Sequence, residues 1–320
     1  MNAYLITGGA GFIGSHLAET LLGRGNEVWV IDDLSTGAIA NLDPFRAHEH
    51  LHVSIDTIMN TSLMAELIDR VDGVFHLAAA VGVKLIFENP VHTIQTNIRG
   101  TEIVLELAAR KKKKVQIASS SEVYGKGVRT PFAEGDDLLL GSTTCPRWAY
   151  ACSKAIDEFL ALAYWREKRM PTFVTRFFNT VGPRQTGRYG MVIPRLVGQA
   201  LRGEPLTIYG DGTQTRSFAH VGDVVRAVID LMETDASNGQ VYNVGNPQEV
   251  SILELARRII ALTASPSEIQ LVPFKKVYGP DFEDMNRRAP DVGKLAATIV
   301  WENLIDLEGI LASVIESERA

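Results

Sequence analysis

The chain has 320 residues, 46% of them hydrophobic and 22% charged, and a net charge of −6. That length can bury a large core and fits one or two domains, the negative balance argues against a nucleic-acid partner, and no apolar run approaches the ~20 residues of a membrane span. Two cysteines, Cys145 and Cys152, give neither a disulfide framework nor a metal-ligand spacing, so no metal is expected. No signal-peptide pattern precedes the first apolar run, and the expected setting is the cytoplasm.

The residues from Ala3 to Thr7 form a short apolar run of β-formers, followed at once by Gly8-Gly9-Ala10-Gly11-Phe12-Ile13-Gly14. Ser15 to Gly23 then reads as an amphipathic helix with Leu17, Leu21 and Leu22 inward. A glycine-rich turn between strand and helix lets the backbone approach a pyrophosphate, and the helix N-terminus offers N–H groups and a positive dipole end. By itself the glycine pattern also suits a flexible turn; the strand before it and the helix after it supply the context. The next strand, Glu27 to Ile31, ends in Asp32-Asp33. An acid there accepts from the adenosine ribose hydroxyls and repels a 2′-phosphate, which favours NAD over NADP. Asp32 is the expected ribose ligand and Asp33 the alternative, with a loop turn as the other role for one of the two.

Further strand signals at Val74 to Leu77, Val115 to Ala118 and Phe173 to Arg176 alternate with helical stretches at 91–110 and 150–166. This is the rhythm of an α/β fold with a Rossmann-type, doubly wound parallel sheet, in which ligands sit beyond the carboxyl ends of the strands. The glycine loop, Ser119 to Glu122 and Asn179 each follow a strand, so they converge on one crevice. The basic run Lys111 to Lys114 reads as a solvated helix end, where cations complement the dipole. After Gly182 the pattern breaks into shorter pieces rich in Gly and Pro. Residues 1–182 are expected to form the NAD-binding domain, with a return segment near 217–234, and residues 183–320 mainly a smaller α+β substrate-binding domain.

Tyr150-Ala151-Cys152-Ser153-Lys154 places a phenol and an ammonium on one helix face. A lysine cation together with a positively charged nicotinamide lowers a phenol pKa and makes Tyr150 a base near neutrality. Ser119-Ser120-Ser121-Glu122-Val123-Tyr124-Gly125 adds hydroxyls and one carboxylate, Glu122, for a second chemical step.

Gly8-x-x-Gly11-x-x-Gly14, Tyr150-x-x-x-Lys154 and the serine-rich strand end before Glu122 together resemble the extended short-chain dehydrogenase/reductase family, whose members act on nucleotide sugars. Matches continue along nearly the whole chain: His76-Leu77-Ala78-Ala79, Asn97-Ile98-Arg99-Gly100-Thr101, Arg176-Phe177-Phe178-Asn179-Thr180-Val181-Gly182-Pro183-Arg184, Tyr209-Gly210-Asp211-Gly212 and Arg216-Ser217-Phe218-Ala219-His220-Val221. The resemblance implies NAD held by Gly8, Gly11, Phe12, Ile13, Gly14, Asp32, Ala78, Asn97 and Lys154. It implies a catalytic set in which Tyr150 is the base for a sugar C4 hydroxyl, Lys154 tunes it, Ser120 holds the C4 oxygen and Glu122 serves carboxylate positioning or reprotonation. It further implies a UDP-sugar bound by Ser121, Asn179, Arg184, Tyr209, Arg216 and Arg288, and a homodimer joined through the helices at 97–109 and 150–165. Other roles stay open: a structural carboxylate for Glu122, a turn residue for Asn179, core packing for Tyr209.

In this family a 4-keto sugar can take back hydride on the other face, lose water, or lose carbon dioxide. Dehydration uses an adjacent Asp-Glu pair; here Ser121-Glu122 lacks the acid. Ser-Glu-Val-Tyr-Gly instead resembles the UDP-glucuronate decarboxylase group, as do Pro146-Arg147-Trp148 and the stretch Tyr278 to Asp284 followed by Arg287-Arg288-Ala289-Pro290-Asp291. The guanidinium of Arg288 can hold a carboxylate or diphosphate bidentately. The thiol that apiose-forming relatives carry after the His-Leu-Ala-Ala strand is missing from Ala80-Val81-Gly82-Val83-Lys84. The expectation is NAD-dependent decarboxylation of UDP-glucuronate to UDP-xylose, with a UDP-glucuronate or UDP-glucose 4-epimerase as the alternative. A non-catalytic NAD-sensing protein is a third reading, against which Tyr150 and Lys154 are both intact.

Overall fold

In the computed structural model, which describes residues 1–81, 89–187, 191–278 and 287–319, the strand signals become fourteen strands. In chain order they are β1 (Ala3–Thr7), β2 (Glu27–Asp32), β3 (Leu51–Ile55), β4 (Gly73–His76), β5 (Lys114–Ser120), β6 (Thr172–Phe177), β7 (Thr180–Val181), β8 (Leu206–Tyr209), β9 (Thr215–Ser217), β10 (Ala219–His220), β11 (Gln240–Val244), β12 (Glu249–Ser251), β13 (Ile269–Val272) and β14 (Arg287–Arg288). Seven of them make one parallel sheet in the order β11-β6-β5-β4-β1-β2-β3. The strand order reverses between β1 and β4, and this switch point is where a crevice opens at the carboxyl ends. The stretch 82–84 and the segment 279–284 singled out in the sequence lie outside the described residues.

The helices are α1 (Phe12–Gly23), α2 (Thr61–Arg70), α3 (Pro90–Ala109), α4 (Trp148–Lys168), α5 (Val192–Leu201), α6 (Val221–Glu233), α7 (Ile252–Thr263), α8 (Phe274–Tyr278), α9 (Gly293–Thr298) and α10 (Leu307–Arg319). β1 is buried along its whole length because helices cover both faces of the sheet. Its side chains alternate: Tyr4 and Ile6 join Leu17 and Leu21 of α1 and Val224 and Val228 of α6, while Ala3 and Leu5 join Leu67 of α2, Val104 of α3 and Ala161 of α4. A third cluster, with Leu196 of α5, Leu206 and Ile208 of β8, Leu255 and Ile259 of α7 and Leu311 and Val314 of α10, is the core of the smaller part.

The chain re-enters the sheet over residues 219–244, because α6 carries the apolar stripe Val221, Val224, Val225, Val228, Leu231 and Met232, and β11 then pairs with β6. This return runs ten residues past the segment marked in the sequence, and α9 adds Leu295 to the same core. β9 is flanked by β12 antiparallel and by β14 parallel, in a register that sets Arg288 beside Arg216. Among the described residues no helix is long and apolar enough to cross a membrane.

Candidate active site

A cleft of about 980 Å³ follows the carboxyl ends of the strands and runs into the smaller part. At one end is the glycine loop. Gly8 has φ +72°, and a Cβ there would stand 2.9 Å from the Ala78 amide nitrogen; a Cβ at Gly14 would stand 2.2 Å from the Gly8 carbonyl oxygen. No side chain caps α1, whose N-cap is Gly11, so its first-turn N–H groups face the cleft as an anion seat. Asp32 Oδ2 accepts from the Ala10 amide at 2.9 Å and Oδ1 from the Leu34 amide at 2.8 Å. Burial pushes the Asp32 carboxyl up, and these bonds oppose the shift. Asp33 Oδ1 accepts from the Ser35 amide at 2.9 Å, the turn bond expected of one of the pair. Both acids line the cleft with Gly8, Gly11, Phe12, Ile13, Gly14 and Ala78. The pyrophosphate of a dinucleotide fits this cradle, whose close backbone approaches leave no room for side chains at Gly8 and Gly14.

Asn97 lies elsewhere than expected. It is buried behind the cleft wall, donating to Ser153 Oγ at 3.0 Å and accepting from the Ala80 amide at 2.9 Å. Both ends of its amide are used to fasten α3 to α4 and to the segment after β4, so it shapes the cofactor wall without lining it. Arg184 is also displaced from its expected role. Its guanidinium is 2.7 Å from Glu19 of α1 and stacks over Phe45, outside the cleft lining.

Deeper in the cleft, α4 presents Tyr150 and Lys154 one turn apart, 9% and 2% exposed. The helix is pinned by a buried knot: Ser119 donates to Glu158, which also takes bonds from Arg176 Nε at 3.0 Å and Nη2 at 2.7 Å. β5, α4 and β6 are thereby joined at the level of the reacting groups. Ser120 bonds the Tyr150 phenol. The expected lowering of that phenol is not produced by the protein's own groups: burial and then the Glu122 carboxylate push it well above the ordinary range, with the Ser120 bond opposing. The Lys154 ammonium is committed to Asp157, 3.1 Å away.

Glu122 sits in the short 3₁₀ turn Ser121–Tyr124, whose N-terminus Ser120 caps by accepting from the Glu122 amide at 3.2 Å. Its carboxylate lies between Arg147 Nη2, 3.2 Å from Oε2, and Arg288, which bonds Oε1. Arg288 Nη2 donates to Asn179 Oδ1 at 2.8 Å, and Asn179 Nδ2 donates to the Ser217 carbonyl at 2.8 Å. Burial alone would raise the Glu122 carboxyl, but Arg288 and Arg147, with Arg216 further off, outweigh it and hold the group below the ordinary carboxylate range. Ser121, Asn179, Arg216 and Arg288 all line this part of the cleft. At the far end the ring of Tyr209 lies under the Arg195 guanidinium, 4.4 Å from ring centroid to Cζ, with Phe218, Phe274 and Ile252 as apolar neighbours in the lining. That wall suits a planar base.

His16, His76 and His220 make structural bonds. His16 reaches the Pro183 carbonyl at 2.9 Å, His220 caps α6 at the Gly222 amide, and His76 lies between Thr7 Oγ1 and Thr101 Oγ1 at 2.8 and 3.2 Å. Reading the sequence missed the Arg147–Glu122 and Asp157–Lys154 contacts. Spacing could have signalled the second, an i, i+3 pair on one helix, but the first joins residues 25 apart through the fold.

A glycine loop at the switch point, faced by a Tyr/Lys pair on the helix after β5 in a cleft that runs on into the smaller part, defines a short-chain dehydrogenase/reductase. The chain belongs to the family described as GDP-mannose 4,6 dehydratase, which matches residues 5–314. It is 46% identical over 296 residues to a UDP-N-acetyl-alpha-D-glucosaminuronate decarboxylase of Bacillus cytotoxicus, covering 91% of this chain and 89% of the relative. It is 37% identical over 315 residues to UDP-glucuronic acid decarboxylase 1 of Danio rerio, covering 98% of this chain and 71% of the relative. Among solved structures, a UDP-glucuronic acid 4-epimerase from Bacillus cereus in complex with UDP-glucuronic acid and NAD superposes with a TM-score of 0.89 at 28% identity, covering 99% of both chains.

Proposed function

We propose that this protein is an NAD-dependent decarboxylase of a UDP-hexuronate, converting UDP-glucuronate to UDP-xylose and carbon dioxide through a 4-keto sugar. The observation that carries the reading is the Arg147–Glu122–Arg288 cluster beside Tyr150, in which two guanidiniums outnumber one carboxylate and offer a sugar carboxylate a net positive seat.

The glycine loop and the α1 N-terminus would hold the pyrophosphate, Asp32 the adenosine ribose and Lys154 the nicotinamide ribose. When bound, NAD supplies the hydride acceptor for C4. Tyr150 takes the proton from the C4 hydroxyl while Ser120 keeps a hydrogen bond on that oxygen. The new ketone is β to the C6 carboxylate, so breaking the C5–C6 bond sends its electron pair into the ketone and frees carbon dioxide. A proton then returns to C5 of the enolate, whose oxygen Tyr150 and Ser120 stabilise, and Tyr150 gives its proton back to the C4 oxygen as C4 would recover its hydride, which leaves UDP-xylose. Glu122 is held ionised by its arginines, which favours positioning of Arg288 over proton delivery as its role. Asn179 and Arg216 would face the diphosphate, and Tyr209 with Arg195 the uracil. In this division of labour the sheet part, 1–182 with the return, holds the cofactor and the reacting groups, and the remainder supplies Arg216, Tyr209, Arg195 and Arg288 to the UDP-sugar.

The 46% identity to the N-acetylglucosaminuronate enzyme favours the 2-acetamido sugar acid as a second substrate reading. The 4-epimerase remains the rival reaction, as the likeness to the B. cereus enzyme indicates. One experiment separates them: incubation with NAD and either UDP-glucuronate or its 2-acetamido counterpart, NMR of the products and trapping of carbon dioxide. A pentose and carbon dioxide support the proposal, and the faster substrate names the sugar. A 4-inverted hexuronate without carbon dioxide overturns it.

We also propose a homodimer. Val91 and Ile94 on α3 and Ile156 and Phe159 on α4 are exposed, up to 70% for Phe159, on two helices packed side by side. A second copy placing the same face against them would bury the patch as a four-helix contact. A cytoplasmic setting belongs to the same proposal and accords with two cysteines that are both free.

A further inference from the structure

Asp157 follows Lys154 by three residues on α4, is fully buried, and has no part in the steps above. Its carboxylate takes the Lys154 ammonium at 3.1 Å, with side-chain exposures of 3% and 0%. A helix that buries a carboxylate here carries a desolvation cost that a small apolar residue would avoid. The groups around the pair define what the charge does. Lys154 is faced by Asp157 from its own helix and by His76 from β4; His76, held down to about 3 by burial and by Lys154, stays neutral at any working pH. Asp157 is faced by Lys154, by Glu158 beside it and by Thr101 from α3. Tyr150 is faced by Ser120 at the end of β5, by Glu122 just after it and by Arg288 from β14; Asp157 acts on it from the same helix, and Arg147 holds Glu122 from just before that helix.

We propose that Asp157 is a positioning residue that fixes the Lys154 ammonium and offsets its charge, so that Lys154 alone does not turn Tyr150 into a base. The pair acts as a dipole with its positive end at the cleft. Tyr150 then stays protonated in the resting protein and loses its proton only when further positive charge enters the cleft, which ties the base to the oxidised state of the bound ligand. This rests on Tyr150 as the base. Without Asp157, a buried Lys154 keeps its full field on the phenol, and desolvation of the lysine goes unopposed.

Two readouts test it on the full-length protein. The first uses ¹³Cε-labelled lysine with no cofactor or substrate added, and Lys154→Met to assign the signal. Removing the facing carboxylate in Asp157→Asn is expected to move the pH dependence of the assigned signal downward relative to the unmutated protein. The second is the pH profile of carbon dioxide release. Its acid limb is expected to move down by about one unit in Asp157→Asn, the effect of one charge several ångström away at an effective dielectric near 20. Asp157→Glu is expected to return the limb close to its original position. An activity loss uniform across pH with an unmoved limb, or an unchanged lysine titration, overturns the proposal. Should Asp157→Asn not fold, Asp157→Ser takes its place, and the same two readouts decide. A fully active Tyr150→Phe would sink the base assignment while the lysine titration still reports on Asp157.

Discussion

At the residue scale the site depends on charges that depart from their ordinary values for identifiable reasons. Glu122 is held below the carboxylate range although burial alone would raise it, because Arg288 and Arg147 outweigh desolvation. Its pairing therefore adds stability above the unfolded carboxyl pKa, and that stability fades as pH falls through the lower folded value. Glu122→Gln is expected to let Tyr150 still oxidise C4 while mis-setting Arg288, so NADH accumulates and carbon dioxide release falls about 10²-fold; single-turnover absorbance with gas trapping checks this. His76 behaves differently. Burial holds its folded pKa at about 3, whereas the unfolded chain takes the proton near 6.5, so the unfolded state binds more protons as pH drops. Denaturant titrations should show about 2–3 kcal/mol of stability lost between pH 6.5 and 4.5 from this group, a component missing in His76→Asn. Both departures were hidden in the sequence: His76 reads only as part of a strand, and Glu122 as one carboxylate near serines.

At the element scale, α4 connects fold and chemistry. Its sequence spacing announces the Tyr150/Lys154 face, but its placement comes from Glu158 meeting Arg176 of β6 and Ser119 of β5. Glu158→Gln leaves the buried Arg176 charge uncompensated and should cost about 3–5 kcal/mol in urea unfolding, whereas replacing both partners with apolar residues of similar volume should recover most of that. The opposite face of α4 carries Ile156 and Phe159 in solvent next to the outer face of α3. Phe159→Asp is expected to convert a dimer into a monomer in sedimentation velocity without disturbing the NAD end of the cleft. If the unmutated chain already sediments as a monomer, the interface proposal is wrong.

At the scale of the whole molecule, the cleft lies between the sheet and the smaller core, and its lining draws on both. NAD bound in this cleft has no site on the unfolded chain, so at a hundredfold excess over its Kd it should add about 2.7 kcal/mol to stability, visible as a raised thermal midpoint. Asp32→Ala should remove most of that gain at the same NAD concentration.

What the sequence determined by itself is whatever depends on short separations. Strand and helix periodicity, the glycine turn, the acid ending β2 and the i, i+4 Tyr150/Lys154 pair are set by local backbone geometry, and a chain with these patterns folds one way around them. Tertiary structure decided whatever depends on what a side chain meets across the fold. It brought Arg147, Arg288 and Glu122 together from three distant segments, and turned Arg184 away to Glu19 and Asn97 in behind the wall. It also carried the return through β11 and set burial and the Glu122 carboxylate against the Tyr150 phenol, because burial and the sign of neighbouring charge are properties of a packed interior that no local pattern contains.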